Sequence, residues 1–277
     1  MAAALCFTIM TALIRDLAAE IHPFEIGLFR VITNLLLMVP YAVRTGPAIL
    51  VSDNHKIYVF RGVIGTAFLL FYFLGASLIP ISESQALIFT APLFAAVMAI
   101  IFLGERIHAR RIIALGVGFL GTLIILRPGI VTISLGSVLV LFAAIAFAAS
   151  YVTVRYTTRS DHPDTAVFYL MVYMTPGVAI PAMFVWTVPT WEQVGVMIVI
   201  GILATFNQRF FSRAFAIAEA TAVLPFDFVR LPLAAVIGWM AFSEAPDLWV
   251  YVGGAIIFAA SIYVAHREAV VRRRGDV

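Results

Sequence analysis

The stretch Ile57–Ile79 reads IYVFRGVIGTAFLLFYFLGASLI and contains one charged residue, Arg61. A helix needs about 20 apolar residues to cross the roughly 30 Å hydrocarbon core of a bilayer, and this stretch is long enough. Its apolar residues run continuously, without the alternation that strands of a membrane β-barrel show. The stretch is therefore predicted to form a transmembrane helix.

The rest of the chain has the same character. Of its 277 residues, 63% are hydrophobic and 12% are charged, whereas soluble domains carry about 25% charged residues. Lipid is therefore the expected solvent, and little of the chain remains for a soluble catalytic domain. Ten segments are predicted to be membrane helices: Met1–Ile14, Phe24–Val43, Ile57–Ile79, Ser84–Leu103, Ile112–Leu126, Ile133–Val154, Ala166–Trp186, Val194–Ile217, Ala222–Phe242 and Trp249–Ala265.

The 18 Lys and Arg residues lie between these segments and form no groove-sized basic face, which argues against nucleic acid as a partner. With the N-terminus in the cytoplasm, 14 of them fall on the cytoplasmic side, whereas Arg15 and Arg127 fall outside and Arg30 and Arg230 lie within helices. Membrane proteins carry such an excess of Lys and Arg in their cytoplasmic loops. The distribution predicts a multi-pass protein of a bacterial-type inner membrane, with both termini in the cytoplasm.

The two halves of the chain share a sequence register. Arg15 precedes His22-Pro23 by the same spacing as Arg155 precedes His162-Pro163, and Pro92-Leu93 recurs as Pro232-Leu233. The register predicts two five-helix units, residues 1–130 and 131–277. Because five is an odd number, the second unit has to be inverted in the membrane. Secondary transporters have such inverted repeats and bind their solutes near the midplane between them.

The first predicted helix is short. Met1–Ile14 would span about 21 Å at 1.5 Å per residue, and Phe7 has only six residues before it, whereas its counterpart Phe147 stands about 14 residues into its helix. A signal peptide would begin with a basic region, which this stretch lacks. We therefore expect the first helix to be truncated at its start.

Two motifs resemble a known family. The sequence FTAPLF at Phe89–Phe94, followed by LGER at Leu103–Arg106, is similar to the fourth-helix region of the EamA family, within the drug/metabolite transporter (DMT) superfamily. The sequence FDFVRLPL at Phe226–Leu233, followed by Ser243-Glu244, resembles the counterpart in the ninth helix. The resemblance covers essentially the whole chain. It implies an all-α protein of ten helices, with a central cavity lined by helices 1–4 and 6–9.

No motif typical of an enzyme is present, and no catalytic residue, cofactor or metal is expected. The single cysteine, Cys6, excludes an intrachain disulfide and a cysteine-rich metal site. The glycines of Gly116–Gly121 (GVGFLG) resemble part of a dinucleotide-binding fingerprint, but no strand precedes them. Small residues at this spacing on a membrane helix allow close helix packing, and that interpretation is preferred.

Polar groups within the helices are the candidates for solute binding, because a charge at the bilayer centre costs about 2.5–3.5 kcal/mol on insertion scales. Arg30 and Asn34 share one helix face, as do Asp227 and Arg230; a structural ion pair or a snorkelling arginine is the alternative interpretation. The predicted binding residues are Arg30, Asn34, Tyr72, Phe89, Tyr151, Tyr173, Asn207, Arg209, Asp227 and Arg230. Pro92, Pro225 and Pro232 are predicted to kink their helices.

The predicted function is a secondary carrier for a small organic metabolite, working by alternating access as a monomer or homodimer in the lipid bilayer. Three arginines near the cavity (Arg30, Arg209, Arg230) favour a solute with a carboxylate or phosphate. Asp227 is a candidate for proton coupling, or it only holds Arg230 in place. A non-transporting scaffold or regulator, and an exporter of amino acids or drug-like amphiphiles, are the alternatives.

Overall fold

A computed structural model of the chain describes residues 2–45, 52, 54–91, 93–95, 97–98, 109–127, 133–161, 163–217, 230–244 and 247–275. Ten helices lie within these residues, helical residues also follow the fourth helix at 91, 93–95 and 97–98, and no strand occurs among the described residues. In chain order the helices are α1 Ala2–Leu17, α2 Pro23–Thr45, α3 His55–Leu78, α4 Ile81–Ile88, α5 Ala109–Leu126, α6 Leu135–Ser160, α7 Pro163–Phe184, α8 Trp191–Ile217, α9 Arg230–Phe242 and α10 Leu248–Gly275.

The helices follow the predicted segments closely, and the fourth differs most. It begins at Ile81, and α4 ends at Ile88 instead of running on unbroken. Phe89 and Thr90 continue as a tighter turn, in which the Thr90 amide donates to the Leu87 carbonyl at 3.0 Å. Proline at position 92 has no N–H with which to bond the Ile88 carbonyl, which accounts for a break at this point of the sequence.

Four of the described helices are long and apolar enough to cross a membrane. The qualifying stretches are Pro23–Pro40, His55–Leu78, Asp164–Phe184 and Trp191–Phe211. Shorter apolar helical stretches occur at Gly116–Leu126, Leu135–Ser150, Arg230–Phe242 and Leu248–Ala260. These helical stretches therefore consist mainly of apolar residues, as segments that cross a bilayer must.

The distribution of charge is the reverse of that in a soluble protein. Among the described residues, five acidic and basic side chains are almost completely buried: Glu25, Arg30, Arg61, Asp164 and Arg230. Large apolar side chains instead cover the outside of the helices, among them Leu36, Val63, Ile113, Leu120 and Met240. A protein surrounded by lipid has this arrangement, because its outer surface faces hydrocarbon and its polar groups have to find partners inside.

Most helices pack against helices of the other half of the chain. α3 lies against α6 and α7, whereas α8 lies against α1 and α2. α4 contacts α6 and α9, α1 contacts α9, and α5 packs along α10. Helices from the first and second halves of the chain are therefore interleaved, and the interior contains side chains from both.

The contact between α5 and α10 is close enough to require glycine on both sides. A Cβ atom on Gly121 would lie 2.8 Å from the Gly253 carbonyl oxygen, and one on Gly253 would lie 2.5 Å from the Gly121 carbonyl oxygen. The two backbones thus touch directly. Gly121 of the GVGFLG stretch is thus a packing residue, whereas a Cβ atom on Gly116 would meet nothing within 4 Å.

Candidate solute-binding site

One face of α2 is buried from Ile26 to Met38 and carries polar groups at its centre. Ile26, Arg30, Asn34 and Met38 follow one another at intervals of four residues, and none is more than 3% exposed. This spacing aligns side chains on one helix face. Arg30 and Asn34, which the sequence places on one helix face, are thus both buried in the structure.

The polar atoms of this face lack protein partners. Arg30 Nε and Nη1, and both the Oδ1 and Nδ2 atoms of Asn34, have no hydrogen-bond partner in the part of the chain that the structure describes. The Arg30 guanidinium carbon lies 5.6 Å from the centre of the Phe73 ring. Buried polar atoms are almost always hydrogen-bonded, so a group of four unbonded ones requires an explanation. A bound polar solute would provide the missing partners.

A second polar cluster joins α1, α3 and α4. Gln85 Nε2 donates to the Tyr72 hydroxyl at 3.1 Å and to Thr11 Oγ1 at 3.3 Å, and the two hydroxyl oxygens are 3.2 Å apart. All three side chains are completely buried. Gln85 Oε1 accepts no hydrogen bond from the described residues. The cluster therefore also has hydrogen-bonding capacity left for a ligand.

Aromatic rings and Arg230 border this cluster. The Phe7 ring lies 5.3 Å from that of Tyr72, and Phe68 stacks on Tyr72 at 5.5 Å. The Arg230 guanidinium carbon lies 4.4 Å from the centre of the Phe7 ring, on the side where α9 approaches α1. The first and second halves of the chain thus meet around a wall of rings, to which Arg230 contributes a positive charge.

Arg209 pairs with a carboxylate at one end of the molecule. Its Nε and Nη2 atoms contact Asp164 at 3.1 and 3.4 Å, and Arg213 contributes a longer contact of 3.8 Å to the same carboxylate. Asp164 lies in the first turn of α7, where a carboxylate also favours the positive end of the helix dipole. The arrangement ties the end of α8 to the start of α7.

Tyr173 lies near the same end, in a group of rings between α3 and α7. Its hydroxyl is 3.1 Å from His55 Nδ1, and its ring stacks on Tyr169. Tyr58 extends the stack and donates to Asp161 at 2.5 Å. Tyr173 is thus separated from the cluster around Gln85 by most of the length of α3.

The remaining predicted residues are scattered. Asn207 Nδ2 donates to the Ala3 carbonyl at 2.8 Å and joins α8 to α1. Phe89 lies 6.4 Å from Phe258 of α10, and Pro232 is exposed on α9. Four predictions lie outside the described residues: Asp227, Pro92, Pro225 and the side chain of Tyr151.

Thr11 and Gln85 were not among the residues predicted from the sequence. Gln85 lies at the start of the predicted segment Ser84–Leu103, where a polar residue is easily assigned to the helix end. Gln85 could have been identified from its position: it is an uncharged amide residue between Pro80, which interrupts the chain of apolar segments, and a long apolar run. Thr11 carries a weaker signal, because threonine satisfies itself within a helix; its hydroxyl donates to the Phe7 carbonyl at 2.9 Å.

A helical membrane protein with an apolar exterior and unpartnered polar groups in its interior belongs, by its architecture, to the class that handles polar solutes within the bilayer. Comparison with known sequences identifies the family. A profile of the EamA-like transporter family matches residues 1–127 and again residues 134–265. The chain therefore belongs to the EamA-like transporter family, as its two motifs predicted.

Characterised relatives are named as transporters of different solutes. The chain is 30% identical to a riboflavin transporter of Brucella anthropi over 253 residues, which cover 88% of both chains. It is 32% identical to the pseudopaline exporter CntI of Pseudomonas aeruginosa, over 96% of this chain and 94% of the exporter. It is 26% identical to an S-adenosylmethionine uptake transporter of Rickettsia prowazekii, over 91% and 86% of the two chains. These names point to transport, not catalysis.

A solved crystal structure shares the fold. It superimposes with a TM-score of 0.66 over 96% of each chain, at 14% sequence identity. The ten-helix arrangement is therefore one that exists in an experimentally determined protein.

Proposed function

We propose that the protein is a secondary carrier that moves a small organic solute across the membrane by alternating access. The observation that carries the proposal is the unpartnered group of polar atoms on Arg30 and Asn34, buried in the middle of α2. A scaffold or regulator would gain nothing from burying such groups, since each unsatisfied polar atom is costly. A carrier needs such groups, because the solute supplies their hydrogen-bond partners while it is bound.

The chemistry of this face favours a solute that bears a carboxylate or a phosphate. The guanidinium group of Arg30 offers donors in a fixed geometry that matches both anions. Asn34 offers a donor and an acceptor one helical turn away, and Arg230 lies beside the Phe7 ring of the aromatic wall. The solutes named for the relatives, riboflavin, S-adenosylmethionine and pseudopaline, differ widely, so they form a starting panel for this chain.

Alternating access in this protein would use two inverted units, residues 1–130 and 131–277. Two observations support them: the family profile matches the chain twice in succession, and several of the larger helix contacts are preserved when the halves are exchanged. Exchanging α1–α5 with α6–α10 converts the α3–α6 contact into α8–α1 and the α1–α9 contact into α6–α4. Rocking of one such unit against the other exposes a midplane site to each side in turn.

The proposed cycle takes place in a bacterial inner membrane with both termini in the cytoplasm, as the distribution of Lys and Arg favours. Proton coupling is assigned to Asp227, which lies within the FDFVRLPL motif. Asp227→Asn should abolish the stimulation of uptake by an imposed proton gradient. Uptake that keeps its proton dependence in this variant would remove Asp227 as the coupling site.

The test of the carrier is uptake into proteoliposomes. Riboflavin, S-adenosylmethionine, pseudopaline and a set of amino acids would be offered to the purified, reconstituted protein. We expect saturable uptake of at least one solute that bears a carboxylate, and an Arg30→Met variant that loses it by roughly tenfold or more, since a buried charge-assisted hydrogen bond contributes about 1.5–3 kcal/mol.

Arg127→Gln is the matched control for uptake, because Arg127 is paired with Asp247 between α5 and α10, two helices that contribute none of the polar groups proposed to bind the solute. This variant should transport at the native rate. Uptake that is equal in native protein and the Arg30→Met variant would contradict the assigned site. Failure to take up any solute while the purified protein remains folded would favour a scaffold.

A further inference from the structure

Four helix ends meet around one ion pair, at the end of the molecule where α1 turns into α2. Arg15 lies in the last turn of α1 and forms a salt bridge with Glu244, which follows α9. Arg15 Nη1 also donates to the Ile79 carbonyl at 2.5 Å, beyond the end of α3. Its guanidinium carbon lies 5.3 Å from the Phe242 ring, the last residue of α9. One arginine thus contacts both halves of the chain.

Glu244 is turned towards this meeting point by the local backbone. Ser243 has a φ of 52°, in the left-handed region, which reverses the chain as α9 ends. The Glu244 amide then donates to the Gly238 carbonyl at 3.1 Å, and Glu244 Oε2 accepts from the Ile81 amide at 3.2 Å. A residue of the α9–α10 connection therefore caps the start of α4 and pairs with the end of α1.

A layer of apolar side chains lies just beneath the ion pair. Ile14, Ile79 and Ile81 are at most 2% exposed, whereas Arg15 and Glu244 retain side-chain exposures of 21% and 15%. One turn further along α1 is Thr11, a member of the buried polar cluster with Tyr72 and Gln85. The pair therefore separates the solvent at this end from the polar interior.

We propose that the Arg15–Glu244 pair, with the Ile79 carbonyl and the Ile81 amide, is the gate that closes this end of the protein. The inference rests on the proposed function, since a gate has meaning only in a carrier. α9 belongs to the second half of the chain, and the pair joins it to α1, α3 and α4 of the first half. Opening this end would require α9 to part from these three helix ends, so the pair has to break first.

The position of the pair suits repeated opening. Ion pairs close to solvent contribute about 0–1 kcal/mol, because water replaces their partners when they separate. Opening therefore costs little net free energy, whereas a completely buried pair would hold the helices together permanently.

A second ion pair at the same end provides a matched control. Arg127, after α5, is paired with Asp247, just before α10. These two helices already touch through Gly121 and Gly253, so their salt bridge adds to a contact that is closed in any case. Neutralising Arg127 should therefore leave access to the interior unchanged.

The test measures access to a cysteine at position 11 and needs no solute, so its result is independent of whether a substrate has been found. Cys6→Ala removes the only native cysteine, and Thr11→Cys then reports on the interior. A membrane-impermeant maleimide is applied to spheroplasts and to inside-out vesicles. A Trp191→Cys variant, 92% exposed beside the α1–α2 turn, identifies which preparation presents the gate to the reagent.

From the side that labels Trp191→Cys, the reporter should react slowly in the otherwise native protein. Arg15→Gln should raise its labelling rate by up to about fivefold, because losing a pair that contributes up to about 1 kcal/mol raises the population of a minor open state by that factor. Glu244→Gln should have the same effect, and the double variant should add little to either, since both remove one interaction. The Arg127→Gln control should label at the native rate.

Two results would overturn the gate. One is a reporter whose labelling rate does not change in Arg15→Gln and Glu244→Gln; the other is an equal increase in Arg127→Gln, which would indicate general loosening. If Arg15→Gln is not recovered as folded protein, Glu244→Gln carries the same expectation by itself. If the labelling rates change as expected but no solute is taken up, the transport proposal has failed and the gate has not. The two proposals can therefore fail separately.

Discussion

Arg30 and Arg61 are both arginines buried in apolar helices, and their surroundings differ. Arg61 Nη1 donates to the Ala166 carbonyl at 3.3 Å, and the guanidinium group interacts with Tyr58, which is bonded to Asp161. Arg30 has a distant ring as its neighbour, and its Nε and Nη1 atoms find no acceptor within the described ranges. The contacts of Arg61 therefore join helices, whereas Arg30 has donors without a described acceptor, as a solute-binding residue would have.

This contrast predicts opposite effects of the same substitution. Arg30→Met should raise the midpoint of thermal unfolding in detergent by a few degrees, because replacing a poorly compensated buried charge with an apolar side chain stabilises by about 1–4 kcal/mol. Arg61→Met should lower the midpoint, since it removes the bond to Ala166 and the charge beside Tyr58. Both midpoints can be measured by differential scanning fluorimetry without solute. A fall of equal size in both variants would show that Arg30 is structural too.

The sequence could predict the polar positions but not their partners. Arg30 and Asn34 are identifiable because each is a polar residue within an apolar run, four residues apart. Arg209 has the same local signal, yet it pairs with Asp164, more than forty residues away along the chain. Pairing of this kind depends on which helix ends lie side by side, and single-sequence patterns do not contain that information.

At the scale of elements, helix length and position follow from hydropathy, and helix continuity does not. The apolar run Ser84–Leu103 predicts one helix, and the structure ends α4 at Ile88. Broken helices in membrane proteins occur where the irregular backbone is buried in protein or lines a cavity. Gln85, with its unbonded oxygen, lies one turn before this break, which adds to the case that the interior cluster is functional.

The close contact of α5 and α10 predicts a difference between two glycines of one helix. Gly121→Ala should lower the unfolding midpoint, since its Cβ would lie 2.8 Å from the Gly253 oxygen and overpacking typically costs about 1–3 kcal/mol. Gly116→Ala is the control, because a Cβ there would meet nothing within 4 Å. Alanine is also the better helix former, by about 1 kcal/mol. Equal destabilisation by both substitutions would contradict a specific α5–α10 contact.

At the scale of the whole molecule, the ends of the helices define two opposite surfaces. The start of α8 lies beside the turn from α1 to α2, where Gln193 Nε2 donates to Glu20 at 2.7 Å. The start of α3 lies beside the turn from α6 to α7, where Asn54 and Tyr58 bond Asp161. α2 runs between the two surfaces over 23 residues, about 34 Å at 1.5 Å per residue, enough to cross a bilayer.

α3 and α8 are the third helices of the two proposed units, so their first residues are equivalent positions. If the units are inverted, Lys56→Cys and Trp191→Cys, each in a Cys6→Ala background, should be labelled by an impermeant maleimide from opposite sides of the membrane. Both side chains are exposed, and no described contact of either would hinder the reagent. With both termini in the cytoplasm, Trp191→Cys should react in spheroplasts and Lys56→Cys only in inside-out vesicles. Labelling of both from one side would mean that the units are parallel. Alternating access by two inverted units would then be excluded.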